Sequence, residues 1–132
     1  MDFTFLSRFA PQLLSVLRII TGLLFFAHGS AKYFGFPAVE QLSNVSMGSP
    51  GGIAGLLELV GGALLVIGLF SRLSAFILSG LMAVAYFMAH APRDFHPILN
   101  GGERAIMFCF VFLYIAAAGP GPWSVDANRG KA

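Results

Sequence analysis

The chain has 132 residues, 57% of them hydrophobic and 11% charged, with a formal net charge of +2 and a mean hydropathy of +0.80. Soluble domains carry about 25% charged residues, so this composition cannot cover a surface in water. The eight Lys and Arg form no basic run, which excludes nucleic acid as a partner. The length gives one domain, 1–132, with room for four membrane helices of roughly 20 residues and short loops, and none for a separate soluble catalytic domain.

The first apolar stretch, residues 13–34, contains Arg18, His28 and Lys32. Its start has the outline of a signal peptide, with Arg8 ahead of an apolar run and small residues Ala27, Gly29 and Ala31 after it. Three further apolar stretches, and Arg18 inside the run, favour an uncleaved helix. In the long first connection, Pro37 opens an expected short helix with Val39, Leu42 and Val45 on one face, lying on the membrane surface and ended by residues 47–52. The second span, 53–70, holds one charge, Glu58. Only Ser71-Arg72 separates it from the third, 73–90, so the two form a helical hairpin. The third closes at His90, and Pro92 and Pro97 make residues 91–99 an expected irregular loop. The fourth span, 101–118, is capped by Asn100, with Glu103 reaching back in a capping-box arrangement. Gly119-Pro120-Gly121-Pro122 stops it, and Trp123 suits the interface. The expected fold is all-α: an integral membrane four-helix antiparallel bundle with a short interfacial helix in the first loop.

An even number of spans puts both termini on one face. Cytoplasmic termini place Arg8, Arg72, Arg129 and Lys131 inside, against Lys32, Arg93 and Arg104 outside, a bias of four to three. In either orientation His28, Lys32, Glu58, His90 and Glu103 gather at one face. His28 lies roughly 9 Å below the end of its helix and Glu58 about 7.5 Å below the start of its own. His28 and Lys32, four residues apart, point the same way, while Gly61, Gly62 and Leu65 continue the Glu58 face and let a neighbouring helix come close.

Ionisable groups at membrane depth are costly, so each marks a site or a pair. Glu58 is either an ion-pair partner of Lys32 or Arg104, a protonated carboxyl hydrogen-bonded between helices, or a proton acceptor with His28 or His90 as relay. The candidate catalytic residues are therefore Glu58, His28 and His90. Lys32, Arg18, Asn100 and Glu103 are candidate binding residues, with capping as the plainer role for Glu103. Arg18 stands apart, about 15 Å along the helix from His28, where it snorkels to the other leaflet, pairs at a helix interface, or binds. No metal is expected, because no His-Glu-x-x-His or Glu-x-x-His pattern occurs. There is no phosphate-binding glycine loop and no nucleophilic triad. The lone Cys109 excludes dithiol chemistry within one chain.

His28-Gly29, Lys32-Tyr33-Phe34-Gly35, Glu58-Leu59-Val60-Gly61-Gly62, Gly68-Leu69-Phe70-Ser71-Arg72, Asn100-Gly101-Gly102-Glu103 and Gly119-Pro120-Gly121-Pro122-Trp123-Ser124-Val125-Asp126 occur in that order. Together they resemble the DoxX family over nearly the whole chain. The resemblance implies a small multi-pass protein of the bacterial inner (plasma) membrane with a four-helix bundle. It also implies a relation to the membrane subunit of thiosulfate:quinone oxidoreductase and to oxidoreductase complexes linked to thiol and oxidative stress. The chain itself has no flavin, haem, iron–sulfur or dithiol motif. The leading expectation is thus a redox-associated membrane subunit that offers a quinone pocket or proton path, with an oxidoreductase partner protein supplying the electron-donor site. No covalently bound cofactor is expected, and Phe25, Phe26, Phe34 and Phe87 are candidate pocket residues, with packing or lipid contact as their commoner role in a membrane helix. The alternatives are a small proton-coupled transporter, which would need a homo-oligomer, and a non-catalytic membrane scaffold.

Overall fold

The computed structural model describes residues 2–39 and 46–131, and every regular element among them is helical. A 3-10 segment, Thr4–Phe9, leads into α1, Ala10–Phe34, which stops where Gly35 turns left-handed at φ 65°. Residues 37–39 are not helical, and Leu42 and Val45 of the expected surface helix lie outside the described residues. Helix α2, Pro50–Ile67, begins where the Ser49 hydroxyl accepts the Gly52 N–H at 3.0 Å and Pro50 takes the first position. It therefore starts three residues earlier than its apolar run, and Gly68, at φ 75°, ends it.

Helix α3, Ser71–Ala85, runs on through a π-helical turn, Tyr86–His90, closed by the Ala91 N–H on the Tyr86 carbonyl at 2.8 Å. The following loop is not wholly irregular, because Pro97 opens a single helical turn, α4, Pro97–Asn100. Helix α5 is Glu103–Ala118 and α6 is Val125–Asn128. Helix α5 starts two residues later than expected: Gly101 sits at φ 74°, and Gly102 is the N-cap with no side-chain cap bond. The capping box of Asn100 with Glu103 does not form. The Asn100 Oδ1 instead accepts the Gly102 N–H at 2.8 Å, a local turn that sets the entry to α5.

Among the described residues, three helical stretches are long and apolar enough to cross a membrane: Thr4–Phe34, Pro50–Ile67 and Ser71–His90. The 16 residues of α5 rise about 24 Å, short of the roughly 30 Å hydrocarbon core. Burial is inverted relative to a water-soluble protein. Large apolar side chains such as Leu23, Leu56, Phe76 and Phe110 are exposed, while Ser15, Arg18, Thr21, Glu58, Ser74 and Ser79 are buried. That distribution is stable where the surrounding solvent is lipid, since lipid accepts the apolar exterior and helices must satisfy every polar group internally.

Helix α1 packs along α2 and α3 along α5, with α2 and α3 joining the two pairs. The α1–α2 contact depends on absent side chains. Gly22 lies against Gly62 and Leu65, and Gly29 against Gly55 and Leu59; a Cβ on Gly62 would sit 2.7 Å from the Phe26 backbone nitrogen. Gly61 faces the other way, onto Leu78 of α3. The glycines following Glu58 thus serve two neighbours. Gly62→Ala is expected to force the α1 and α2 backbones apart and lower stability by about 1–3 kcal/mol, read as a fall in the unfolding midpoint of the detergent-solubilised protein. Between the pairs, Phe25, Leu65, Ala75, Leu78, Phe112 and Ile115 form the core, with Phe25 edge-on to Phe108 at 4.9 Å and to Phe112 at 4.7 Å.

Candidate functional site

Directly beyond that aromatic cluster, α1, α2, α3 and α5 line a partly open cavity of about 140 Å³. His28 from α1, Glu58 from α2, His90 from the π-helical turn and Arg104 from α5 line it with the apolar Phe25, Met82 and Phe108. Glu58 is 5% exposed, and its Oε1 lies 2.6 Å from the Lys32 Nζ, so the cation that meets it is Lys32 and not Arg104. The methylene stem of Lys32 passes over Gly55, where a Cβ would meet it at 2.9 Å. A glycine in α2 therefore clears the route from Lys32 to Glu58.

His90 is aimed by the π-turn, whose extra residue changes the direction of the side chains that follow; such turns recur at functional sites. Its Nδ1 is 3.1 Å from the Asn100 carbonyl oxygen. A carbonyl can only accept, so Nδ1 carries a proton in this contact, and in the neutral ring Nε2 is then the acceptor. Asn100 is 1% exposed and ties the region together: its Nδ2 donates to the Tyr86 hydroxyl at 3.2 Å and to the Asp94 carbonyl at 3.0 Å. Asn100 holds His90 and the α5 entry without lining the cavity.

Glu103 is the exposed first residue of α5 and does not line the cavity. Of the four candidate aromatics, only Phe25 borders it. Phe26 and Phe34 border a separate apolar groove, and Phe87 is 69% exposed. His96 lies outside, in an exposed pair with Asp94 at 3.5 Å. Arg104 is the cavity residue that sequence reasoning placed only as a pairing partner or loop charge. The available signal was its register, four residues before Phe108 and eight before Phe112 on the inward face of α5.

Arg18 occupies the opposite end and does not reach toward headgroups, for it is 0% exposed. Its Nε donates to the Leu65 carbonyl at 2.8 Å, one terminal nitrogen to the Pro120 carbonyl and the other to the Trp123 carbonyl at 2.7 Å. Ser15 accepts the Trp123 N–H at 3.1 Å. These bonds clamp the segment after α5 across the bundle. There Asp126 accepts the N–H groups of Phe70 at 2.9 Å and Ser71 at 2.8 Å, capping the N-terminus of α3, which has no capping side chain of its own. Asp126 was not among the sequence candidates.

Burial acts to raise the Asp126 pKa, but the Ser71 and Phe70 N–H donors and the nearby Arg129 outweigh it and hold the carboxyl below its ordinary 3.8. A depressed folded value means that the stability from this group is complete above the ordinary value and is lost as pH falls through the folded one. Thermal unfolding followed from about pH 6 down to about pH 3 should show an acid-induced loss that is smaller in Asp126→Asn, because that variant has already given up the carboxylate.

The model of the DoxX family matches residues 13–91 of the chain. An uncharacterized protein of Haemophilus influenzae is 42% identical over 125 residues, covering 92% of this chain and 93% of the relative. "Inner membrane protein YqjF" of Escherichia coli is 30% identical, covering 88% and 91%, and "Putative oxidoreductase CatD" of Bacillus subtilis is 34% identical, covering 74% and 85%. No solved structure matches. With a family model spanning more than half its length and relatives aligned over nearly all of it, on a chain whose helices can cross a bilayer, this is a membrane protein that belongs to the DoxX family.

Proposed function

We propose that the chain is a membrane subunit of an oxidoreductase system in the bacterial inner membrane, and that the cavity bounded by His28, Glu58, His90 and Arg104 is its proton-handling site. The observation that carries the reading is the convergence of two imidazoles, a carboxylate and a guanidinium from four separate helices on one cavity. The names of two relatives, an inner membrane protein and an oxidoreductase, support the setting. In this reading α5 is a fourth span, extended at one end by the Gly101-Gly102 turn and at the other by the interfacial Trp123. The protein is then an antiparallel four-helix bundle with both termini cytoplasmic and the cavity toward the outer face.

A quinone is the redox group these residues fit. Arg104 and His28 offer donors for its carbonyl oxygens, and Phe25, Met82 and Phe108 offer apolar walls. When bound, it supplies two-electron, two-proton acceptor chemistry. The chain's own part is protonic. His90, protonated at Nδ1 by the Asn100 contact, presents Nε2 as acceptor; Glu58 is a second acceptor, and His28 lies between the cavity and the outside. The electron-donor site belongs to a partner protein.

Affinity isolation from native membranes with mass spectrometry, followed by quinone-reduction assays on the isolated complex, tests the proposal. Co-isolation of an oxidoreductase whose quinone reduction falls in His28→Ala supports it; isolated protein that neither binds quinone nor alters quinone reduction overturns it. The 2.6 Å pair of Lys32 with Glu58 also favours a second reading, a non-catalytic scaffold. Under that reading Glu58→Gln reduces the amount of assembled complex and leaves the activity of each complex unchanged.

A further inference from the structure

The ring of helices is closed by close packing everywhere except between α1 and α5, which barely touch. That seam is sealed at two levels. Toward the termini, Arg18 and Ser15 of α1 bind the segment after α5, and Gly121 packs so tightly on Ser15 that a Cβ would lie 2.2 Å from its hydroxyl. At mid-depth, Phe25 of α1 fills the gap against Phe108 and Phe112. Above Phe25 nothing described crosses it. There the inner cavity of about 140 Å³ and an outer groove of about 400 Å³ lie side by side, with His28 and Arg104 lining both.

The outer groove is otherwise apolar, lined by Leu24, Ala27, Ala31, Pro37 and Val39. Leu24 is 49% exposed on the face that looks into the bilayer. Lys32 and Glu58 pair with each other, whereas the exposed Arg104 guanidinium has no ion pair or hydrogen bond among the described residues. We infer that the α1–α5 seam is a lateral portal through which a single-chain amphiphile with an anionic head passes from the bilayer, its tail in the outer groove and its head on Arg104 and His28. The inference stands apart from the redox reading, because it concerns binding by this protein alone, with no electron donor present.

The test uses purified protein in neutral phosphatidylcholine nanodiscs and a fluorescent long-chain carboxylate, displaced by unlabelled oleate or by oleyl alcohol. Oleate should displace the probe at least about tenfold more effectively than the alcohol, the usual scale for one charge-assisted hydrogen bond. Arg104→Gln should erase that preference and Arg104→Lys should retain most of it. Ala27→Trp, which fills the groove from a half-buried position, should block binding while the unfolding midpoint stays near that of the unaltered protein. Equal displacement by acid and alcohol, unchanged binding in Arg104→Gln, or unchanged binding in a folded Ala27→Trp each overturns the proposal. So does displacement by phosphatidylglycerol as effective as by oleate, which would assign Arg104 to ordinary headgroup contact.

Discussion

Arg18→Leu is expected to be among the most damaging single substitutions in this chain, with a loss of about 3–5 kcal/mol, the range for removing one partner from a buried charged network. The carbonyl oxygens of Leu65, Pro120 and Trp123 would lose the bond from Arg18, a side chain that is itself closed to water. The nearby Asp126 would lose its favourable charge as well. The damage should not stay local. Arg18 holds the segment that carries Asp126 to the start of α3, so releasing that segment also uncaps a second helix. Arg18→Lys keeps the charge but cannot supply the forked geometry to three acceptors, and should fall between the two. Unfolding of purified protein in mixed micelles measures both variants; wild-type stability in Arg18→Leu would show that the clamp is dispensable.

Glu58→Gln should cost a comparable amount for a different reason. It leaves the Lys32 ammonium, 10% exposed, without a counter-charge at membrane depth. Lys32→Met strands the Glu58 carboxylate in the same way, and each single change should lower stability by about 3–5 kcal/mol. The double variant, Lys32→Met with Glu58→Gln, should recover much of that loss, because no unpaired charge remains and the Met stem still lies over Gly55. A double variant no more stable than the worse single would mean that the pair is held by something other than charge balance. The cycle also separates stability from chemistry: if the double variant folds but quinone reduction by the isolated complex stays low, the carboxylate acts beyond its structural pairing.

The polar residues at the end of the bundle were legible because ionisable side chains in apolar runs are conspicuous and helix connectivity decides which ends meet. His28, Lys32 and Glu58 were placed together on those grounds, and the structure brings the last two to 2.6 Å. Glu103 and Arg104 show where that reasoning stops. They are adjacent, equally polar and at the same helix end, yet Arg104 stacks above Phe108 and Phe112 toward the cavity, whereas Glu103 shares its side with the exposed Met107 and Phe110. Because both faces of α5 are apolar, one lined by protein and the other by lipid, hydrophobicity does not separate them, and the register of Arg104 with Phe108 and Phe112 tells only once those two are known to face inward.

Composition and the order of apolar runs by themselves determined that this is a helical membrane chain, that its second and third helices form a hairpin, and that its ionisable residues sort to two ends. These properties follow from transfer free energies and helical rise, which are local to each segment. Only the tertiary structure decided which charge meets which: Lys32 on Glu58 across a glycine, Arg18 on the carbonyls of a segment about a hundred residues away, and Asp126 on the α3 terminus. Those pairings depend on how closely two backbones approach and on which way a helix is rotated about its axis. In a bilayer, where every outward face is apolar, that rotation is set by the neighbouring helix and leaves little trace in the sequence.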